Sequence, residues 1–162
     1  MTLLKSYYQL CKPNVVYMML ICAFVGMLLA EQTVSSYSYL FIALTGIALC
    51  AASAAAINQV VDREADASMT RTDQRPLPKG DLSVMHASIF AFVIGLLGAL
   101  ILYFYVNLLT MILTIGSLIG YAFIYTVYLK RATPQNIVIG GLAGAAPPLL
   151  GWSSVSNTID PY

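Results

Sequence analysis

The chain has 162 residues, of which 59% are hydrophobic and only 9% are charged, with a net charge of +1. Soluble domains carry roughly 25% charged residues, so this composition excludes an ordinary soluble domain and indicates a membrane protein. The small net charge gives no reason to expect a nucleic-acid partner. The three cysteines show no metal-ligand spacing and are interpreted as packing residues: Cys11, Cys22 and Cys50.

Five apolar segments are long enough to be considered as membrane spans, because a helix needs ~20 residues to cross a bilayer. In chain order they lie near residues 13–30, 39–61, 84–106, 108–129 and 137–155. The fifth contains Pro147 and Pro148 among several glycines, so we expect this helix to be kinked or broken. The predicted fold class is all-α, a multi-pass transmembrane helical bundle in a single membrane domain.

The basic residues predict the orientation of this bundle. All eight lysines and arginines fall in the N-terminal tail, in the segment after the second span or in the segment after the fourth span. With five spans, these three segments lie on the same side of the membrane. The positive-inside rule places that side in the cytoplasm, together with the predicted loop 62–82.

A polar cluster marks the end of the second span. Asn58, Asp62 and Asp66 are spaced four residues apart, which places them along one helix face. Like charges at this spacing repel each other, so the pattern does not serve helix stability. Magnesium takes one or two protein carboxylates and completes its shell with water and phosphate oxygens. We therefore predict a magnesium site; the alternative is a solvated loop with local ion pairs.

Basic residues follow the carboxylates, and nine of the fifteen charged residues lie between Asp62 and Asp81. Guanidinium groups such as those of Arg71 and Arg75 suit diphosphate oxygens, to which they bind through two parallel hydrogen bonds. Residues 51–56, just before the cluster, are all alanine or serine. Such small residues allow close helix packing or leave room for a bulky ligand, and both interpretations stand.

Two further features bear on function. Tyr121 and Tyr125 lie one helical turn apart in the cytoplasmic half of the fourth span, away from the interfacial position usual for membrane tyrosines. His86 is the only histidine, and we interpret it as an interfacial polar residue rather than a haem ligand.

At this point a resemblance becomes specific. The sequence NQVVDREAD at 58–66, with MTRT at 69–72 and RPLP at 75–78, resembles the first aspartate-rich motif of the UbiA-type membrane prenyltransferases. YTVYLKR at 125–131, NIVIGG at 136–141 and GAAPPLLGW at 144–152 are similar to the protohaem IX farnesyltransferase branch. The resemblance covers residues 12–152, nearly the whole chain.

The resemblance implies a reaction and a set of residues. The catalytic and metal-binding residues would be Asn58, Asp62 and Asp66, which would hold Mg²⁺ on farnesyl diphosphate. The diphosphate would be bound by Arg71, Arg75, Lys130 and Arg131. Tyr121 and Tyr125 would line the chamber of the allylic cation. The farnesyl group would pass to a vinyl group of haem B, giving haem O.

The resemblance also carries expectations about setting and completeness. It implies the bacterial inner membrane and an association with haem A synthase or with terminal oxidase assembly. Family members carry a second acidic motif, whereas Asp160 is the only acidic residue after Asp81, so we expect an N-terminal portion that is inactive alone. Two alternatives remain: a prenyltransferase acting on an aromatic quinone precursor, and a non-catalytic membrane scaffold. A transporter is disfavoured, because transporters bind near the midplane.

Overall fold

A computed structural model of the chain describes residues 3–30, 36–122, 126 and 136–159. The described residues form α1 (Leu3–Leu10), α2 (Pro13–Ala30), α3 (Tyr37–Ala67), α4 (Val84–Tyr105), α5 (Leu108–Ile119) and α6 (Asn136–Ser156). Helices α2, α3 and α4 are long and apolar enough to cross a membrane, with mean hydropathies of 2.0, 2.3 and 2.4 over an 18-residue window of each. Their outward surfaces carry large apolar side chains such as Met18 and Phe92, both more than half exposed. The predicted fold class, a helical membrane bundle, is confirmed.

The helix bounds differ from the predicted segments at three places. Helix α3 runs to Ala67, six residues beyond the end of the second predicted span, so Asp62 and Asp66 lie on the helix, as their spacing predicted. Helix α6 is continuous through Pro147 and Pro148, so of the predicted kink or break the break is wrong. Two adjacent prolines remove only two hydrogen bonds from the helix, and the turns on either side remain. Helix α5 continues as a wider π-helical turn over 120–122, beyond which the fourth predicted span lies largely outside the described residues.

Helices α2 and α6 pack with their backbones in contact. A side chain at Gly26 would meet the carbonyl oxygen of Pro148, and one at Gly151 would meet the carbonyl oxygen of Ala23. Only glycine permits this approach, as is common between helices in lipid. The first and last long helices of the described chain are therefore neighbours.

Helices α3 and α4 form the second close pair. Ser53 donates a hydrogen bond to the carbonyl oxygen of Ala91 at 2.7 Å, and Cys50 is buried beside it. The packing interpretation thus holds for Cys50. It is wrong for Cys22, whose side chain is exposed on the outer surface of α2. Cys11 is half-buried between α1 and α2, and this burial raises the pKa of its thiol.

Polar contacts fix the two ends of the bundle. At one end, the Gln59 side chain donates to the carbonyl oxygens of Gln9 and Leu10, which ties the last turn of α1 to α3. At the other end, Asn107 caps α5 by accepting from the Thr110 amide at 2.7 Å and also donates to the carbonyl oxygen of Ser153 at 3.0 Å. The acidic cluster lies at the first of these ends.

Candidate functional site

The three predicted ligands lie together near the end of α3. Asn58, Asp62 and Asp66 are only 5%, 7% and 6% exposed, although two of them are carboxylates. Buried polar groups require partners, since leaving them unsatisfied is costly. The local sequence continues the helix past these residues and ends it at Ser68, whose hydroxyl donates to the carbonyl oxygen of Ala65.

The partner of Asn58 comes from the connection between α1 and α2. The Lys12 ammonium donates to Asn58 Oδ1 at 2.5 Å. The Asn58 amide nitrogen in turn donates to Asp62 Oδ2 at 3.1 Å and to the Thr126 hydroxyl at 3.2 Å. Lys12 has a left-handed backbone, with φ of 49°, at the point where the chain turns into α2. The site is therefore a network of side chains from separate segments of the chain.

Lys12 is the member of this cluster that the sequence interpretation did not place in the site. It served only as evidence for orientation, although one signal was present. It directly precedes Pro13, the first residue of α2, and so lies at the same end of the bundle as Asn58. A basic residue at this end of the bundle can reach a buried polar cluster on a neighbouring helix.

The loop after α3 folds back on the helix end and supplies the partner of Asp66. Arg75 Nη1 donates to Asp66 Oδ2 at 2.5 Å, and the Thr72 hydroxyl donates to the carbonyl oxygen of Asp66 at 2.9 Å. Leu77 is buried against α1 and α3, and Gly80 completes the turn with a φ of +81°. The loop is thus a folded structure that holds a guanidinium group on a carboxylate.

A polar cavity of about 450 Å³ opens beside this cluster. Three cationic side chains line it, those of Lys12, Arg71 and Arg75. Its neutral polar lining includes the side chains of Gln59 and Gln74. Cations and amide groups around one cavity are suited to an anion with several oxygen atoms. Of the predicted diphosphate ligands, Arg71 and Arg75 are therefore brought together here.

An apolar chamber of about 270 Å³ adjoins the polar cavity, and Lys12 and Val15 line both. Helices α2, α3, α5 and α6 form its walls. Ala51, Ala54 and Ala55 face it, so the small residues on α3 leave room as well as permitting packing. Tyr121, on the π-helical turn after α5, also lines it.

The donor set of the cluster fits a hard divalent cation. Within the described residues no three histidine, cysteine or acidic side chains converge, but two carboxylates with one amide oxygen match the protein share of a magnesium shell. Lys12 and Arg75 now contact two of these ligands, Asn58 and Asp66. A bound cation would take over those oxygens and leave both basic groups for an anion.

Three predicted residues lie outside the described part of the chain: Tyr125, Lys130 and Arg131. Their roles stay predictions. His86 is exposed at the start of α4, where its backbone amide and its ring both contact the Ser83 hydroxyl. This is a helix-cap arrangement, and it agrees with the interpretation of His86 as a polar residue at a helix end.

Fold and site together define an integral membrane protein of α-helices, in which a cation-lined polar cavity adjoins an apolar chamber. The UbiA prenyltransferase family matches residues 19–162. The chain belongs to the UbiA prenyltransferase family, as its motifs led us to expect.

Individual relatives support the same assignment. Over 155 residues the chain is 58% identical to protoheme IX farnesyltransferase 2 of Pseudoalteromonas atlantica, covering 96% of this chain and 51% of that protein. It is 56% identical to protoheme IX farnesyltransferase of Hahella chejuensis, with 98% and 53% covered. The chain thus spans about half the length of the curated relatives it matches.

A solved structure has the same fold. It is that of a UbiA homolog from Archaeoglobus fulgidus bound to DMAPP and Mg²⁺, with a TM-score of 0.80 and 20% sequence identity. The match covers 96% of this chain and 56% of that one.

Proposed function

We propose that this chain forms the magnesium- and diphosphate-binding part of a protohaem IX farnesyltransferase. The whole protein transfers the farnesyl group of farnesyl diphosphate to a vinyl group of haem B, and the product is haem O. The observation that carries this proposal is the junction of the polar cavity with the apolar chamber at Lys12. The two adjoining spaces match the anionic head and the apolar tail of one substrate. The names of the relatives support haem B as the acceptor.

Asn58, Asp62 and Asp66 hold Mg²⁺ in this proposal, as the magnesium bound to the archaeal homolog supports. When bound, the metal supplies positive charge at the diphosphate oxygens as the carbon–oxygen bond breaks. Arg71 and Arg75 bind the departing diphosphate through their guanidinium groups, and Lys12 adds a third positive charge. Lys130 and Arg131 complete this set from the following segment.

The allylic carbon needs a dry environment, because water would intercept the cation. Alanine and leucine side chains line the chamber, and the face of the Tyr121 ring is suited to stabilise positive charge. Tyr125 has the same role in this proposal. The vinyl group then attacks the farnesyl carbon. The carbocation formed on the former vinyl group takes up one water molecule and loses a proton, which gives the hydroxyethylfarnesyl group of haem O. The site lies on the cytoplasmic side of the bacterial inner membrane, as the distribution of the eight basic residues supports.

The test uses membranes that contain the product of the intact native gene. Farnesyl diphosphate and haem B should give haem O in the presence of Mg²⁺, and removal of divalent cations with a chelator should abolish the product. Turnover of 4-hydroxybenzoate instead of haem B would establish the aromatic alternative. Diphosphate binding that does not respond to magnesium, without turnover, would establish a scaffold.

Replacing Lys12 by methionine should change two affinities in opposite directions. The ammonium group of Lys12 contacts Asn58 Oδ1, so it would repel a metal ion bound at that oxygen by several kcal/mol. Without this group, the affinity for Mn²⁺, a spectroscopic substitute for magnesium, should rise by about tenfold or more. The affinity for pyrophosphate should fall by about tenfold or more, because a charged hydrogen-bond donor is lost. Electron paramagnetic resonance of Mn²⁺ and equilibrium dialysis of pyrophosphate measure the two effects.

The matched control is Arg63→Met, which removes one positive charge next to Asp62 at an exposed position paired with Glu64. This variant should change both affinities by less than Lys12→Met does. Equal effects of the two substitutions would show that only net charge matters, and would contradict a specific role of Lys12.

A further inference from the structure

We propose that Ile47, Thr114 and Leu150 form the floor of the apolar chamber and limit the bound prenyl chain to three isoprene units. This inference rests on the proposed function and adds the residues that select the length of the prenyl chain. Three of the four helices that enclose the chamber give independent evidence for where its floor lies.

The direction of each helix identifies its deepest lining residue. Helices α2 and α6 run away from the acidic end, so Met19 and Leu150 are the lining residues farthest from it. Helices α3 and α5 run towards that end, so their farthest lining residues are Ile47 and Thr114. The deepest lining residues of α3, α5 and α6 therefore mark the floor, whereas Met19 lies only seven residues along α2 from Lys12 and so nearer the acidic end.

Beneath this floor the bundle is packed. Ile47 is 1% exposed and Leu150 3% exposed, and both belong to a buried cluster that continues into Ala23 and Met27. In the same region, Gly151 meets the backbone of Ala23, so α2 and α6 leave no opening between them there. Because protein interiors are close-packed, a further isoprene unit could enter this region only if its side chains moved.

The distance from the acidic cluster to the floor of the chamber agrees with the length of a farnesyl chain. Ile47 precedes Asn58 by eleven residues on α3, which corresponds to roughly 16 Å of helix. An extended chain advances about 3.4 Å for every three bonds. An isoprene unit has four bonds along its backbone, so three units span about 14 Å and four units about 18 Å. Three units therefore fit between the acidic cluster and Ile47, whereas four units exceed this distance.

The test measures the displacement of radiolabelled pyrophosphate from the chain in nanodiscs with Mg²⁺, by geranyl, farnesyl and geranylgeranyl diphosphate. Empty nanodiscs correct for partition of each compound into lipid. The unaltered chain should prefer farnesyl over geranylgeranyl diphosphate by about tenfold or more, as is usual when a close-packed site must exclude additional apolar groups. Ile47→Ala should reduce this preference at least tenfold.

A second variant moves the floor in the other direction. Ala51 lines the chamber one turn above Ile47, about 6 Å nearer the acidic cluster. Ala51→Phe should therefore lower the affinity for farnesyl diphosphate by about tenfold, while geranyl diphosphate still binds. This variant keeps the inference testable if Ile47→Ala does not fold.

Leu102→Ala is the matched control, because Leu102 is fully buried in the same cluster but does not line the chamber. It should lower stability and leave the chain-length preference unchanged. A preference that is absent in the unaltered chain, or that neither Ile47→Ala nor Ala51→Phe alters, would overturn the role of the floor while leaving the proposed function intact. No pyrophosphate binding at all would overturn the proposed function, and the inference with it.

Discussion

Replacing either Asp62 or Asp66 by asparagine is expected to lower the affinity for Mn²⁺ by about 100-fold or more. Loss of a partner outside the first coordination sphere already costs roughly 10- to 100-fold in metal affinity, and here a charged ligand itself is removed. Both carboxylates are buried, Asp62 with 7% and Asp66 with 6% exposure. Titration of Mn²⁺ followed by electron paramagnetic resonance measures the change. In the intact gene product, the same substitutions should abolish magnesium-dependent formation of haem O.

Glu64→Gln is the control for these substitutions. Glu64 lies on the same helix between the two aspartates, but its side chain is 85% exposed and pairs with Arg63. It should bind Mn²⁺ with nearly unchanged affinity. If Asp62→Asn and Asp66→Asn bind the metal as well as Glu64→Gln does, the cluster is not a metal site.

Substituting alanine at Gly26 or Gly151 is expected to destabilise the bundle by about 3 kcal/mol or more each, the upper range for overpacked interiors. The added β-carbon would collide with a backbone carbonyl group of the facing helix, at Pro148 or Ala23. A backbone group cannot rotate away as a side chain can, so α2 and α6 must separate. Reversible unfolding in mixed micelles with increasing denaturing detergent measures the loss.

Gly141→Ala provides the comparison on the same helix, because nothing lies within 4 Å of a β-carbon built there. Alanine favours a helix interior over glycine by about 1 kcal/mol, so this variant should be as stable as the original chain or more so. A stability loss at Gly141 equal to that at Gly151 would indicate a general effect on α6 instead of a contact with α2.

The sequence predicted the parts of this molecule that depend on local pattern. Long apolar segments mark the helices, and the spacing of Asn58, Asp62 and Asp66 places all three on one face. The small residues at 51–56 indicated space beside that face, and the chamber lies there. Each of these inferences needs only the periodicity of one helix.

Contacts between distant segments could not be predicted in this way. Lys12 reaches Asn58 across 46 residues, and the reach depends on the turn between α1 and α2. The sequence predicted the same role, diphosphate binding, for Arg71 and Arg75. In the structure Arg75, and not Arg71, contacts Asp66, because the loop folds back against α3. The end of α3 was also missed, since its last turn is stabilised by these tertiary partners and not by its own composition.

The pairing of α2 with α6 also sets an order of events during synthesis. Ala23 emerges from the ribosome 128 residues before Gly151, against which it packs. At 5–20 residues per second, roughly 6 to 25 s pass before its partner helix exists. During that interval the glycine-bearing face of α2 is available to lipid or to other nascent helices. Insertion machinery that retains early helices beside the translocation channel would therefore favour correct assembly of this bundle.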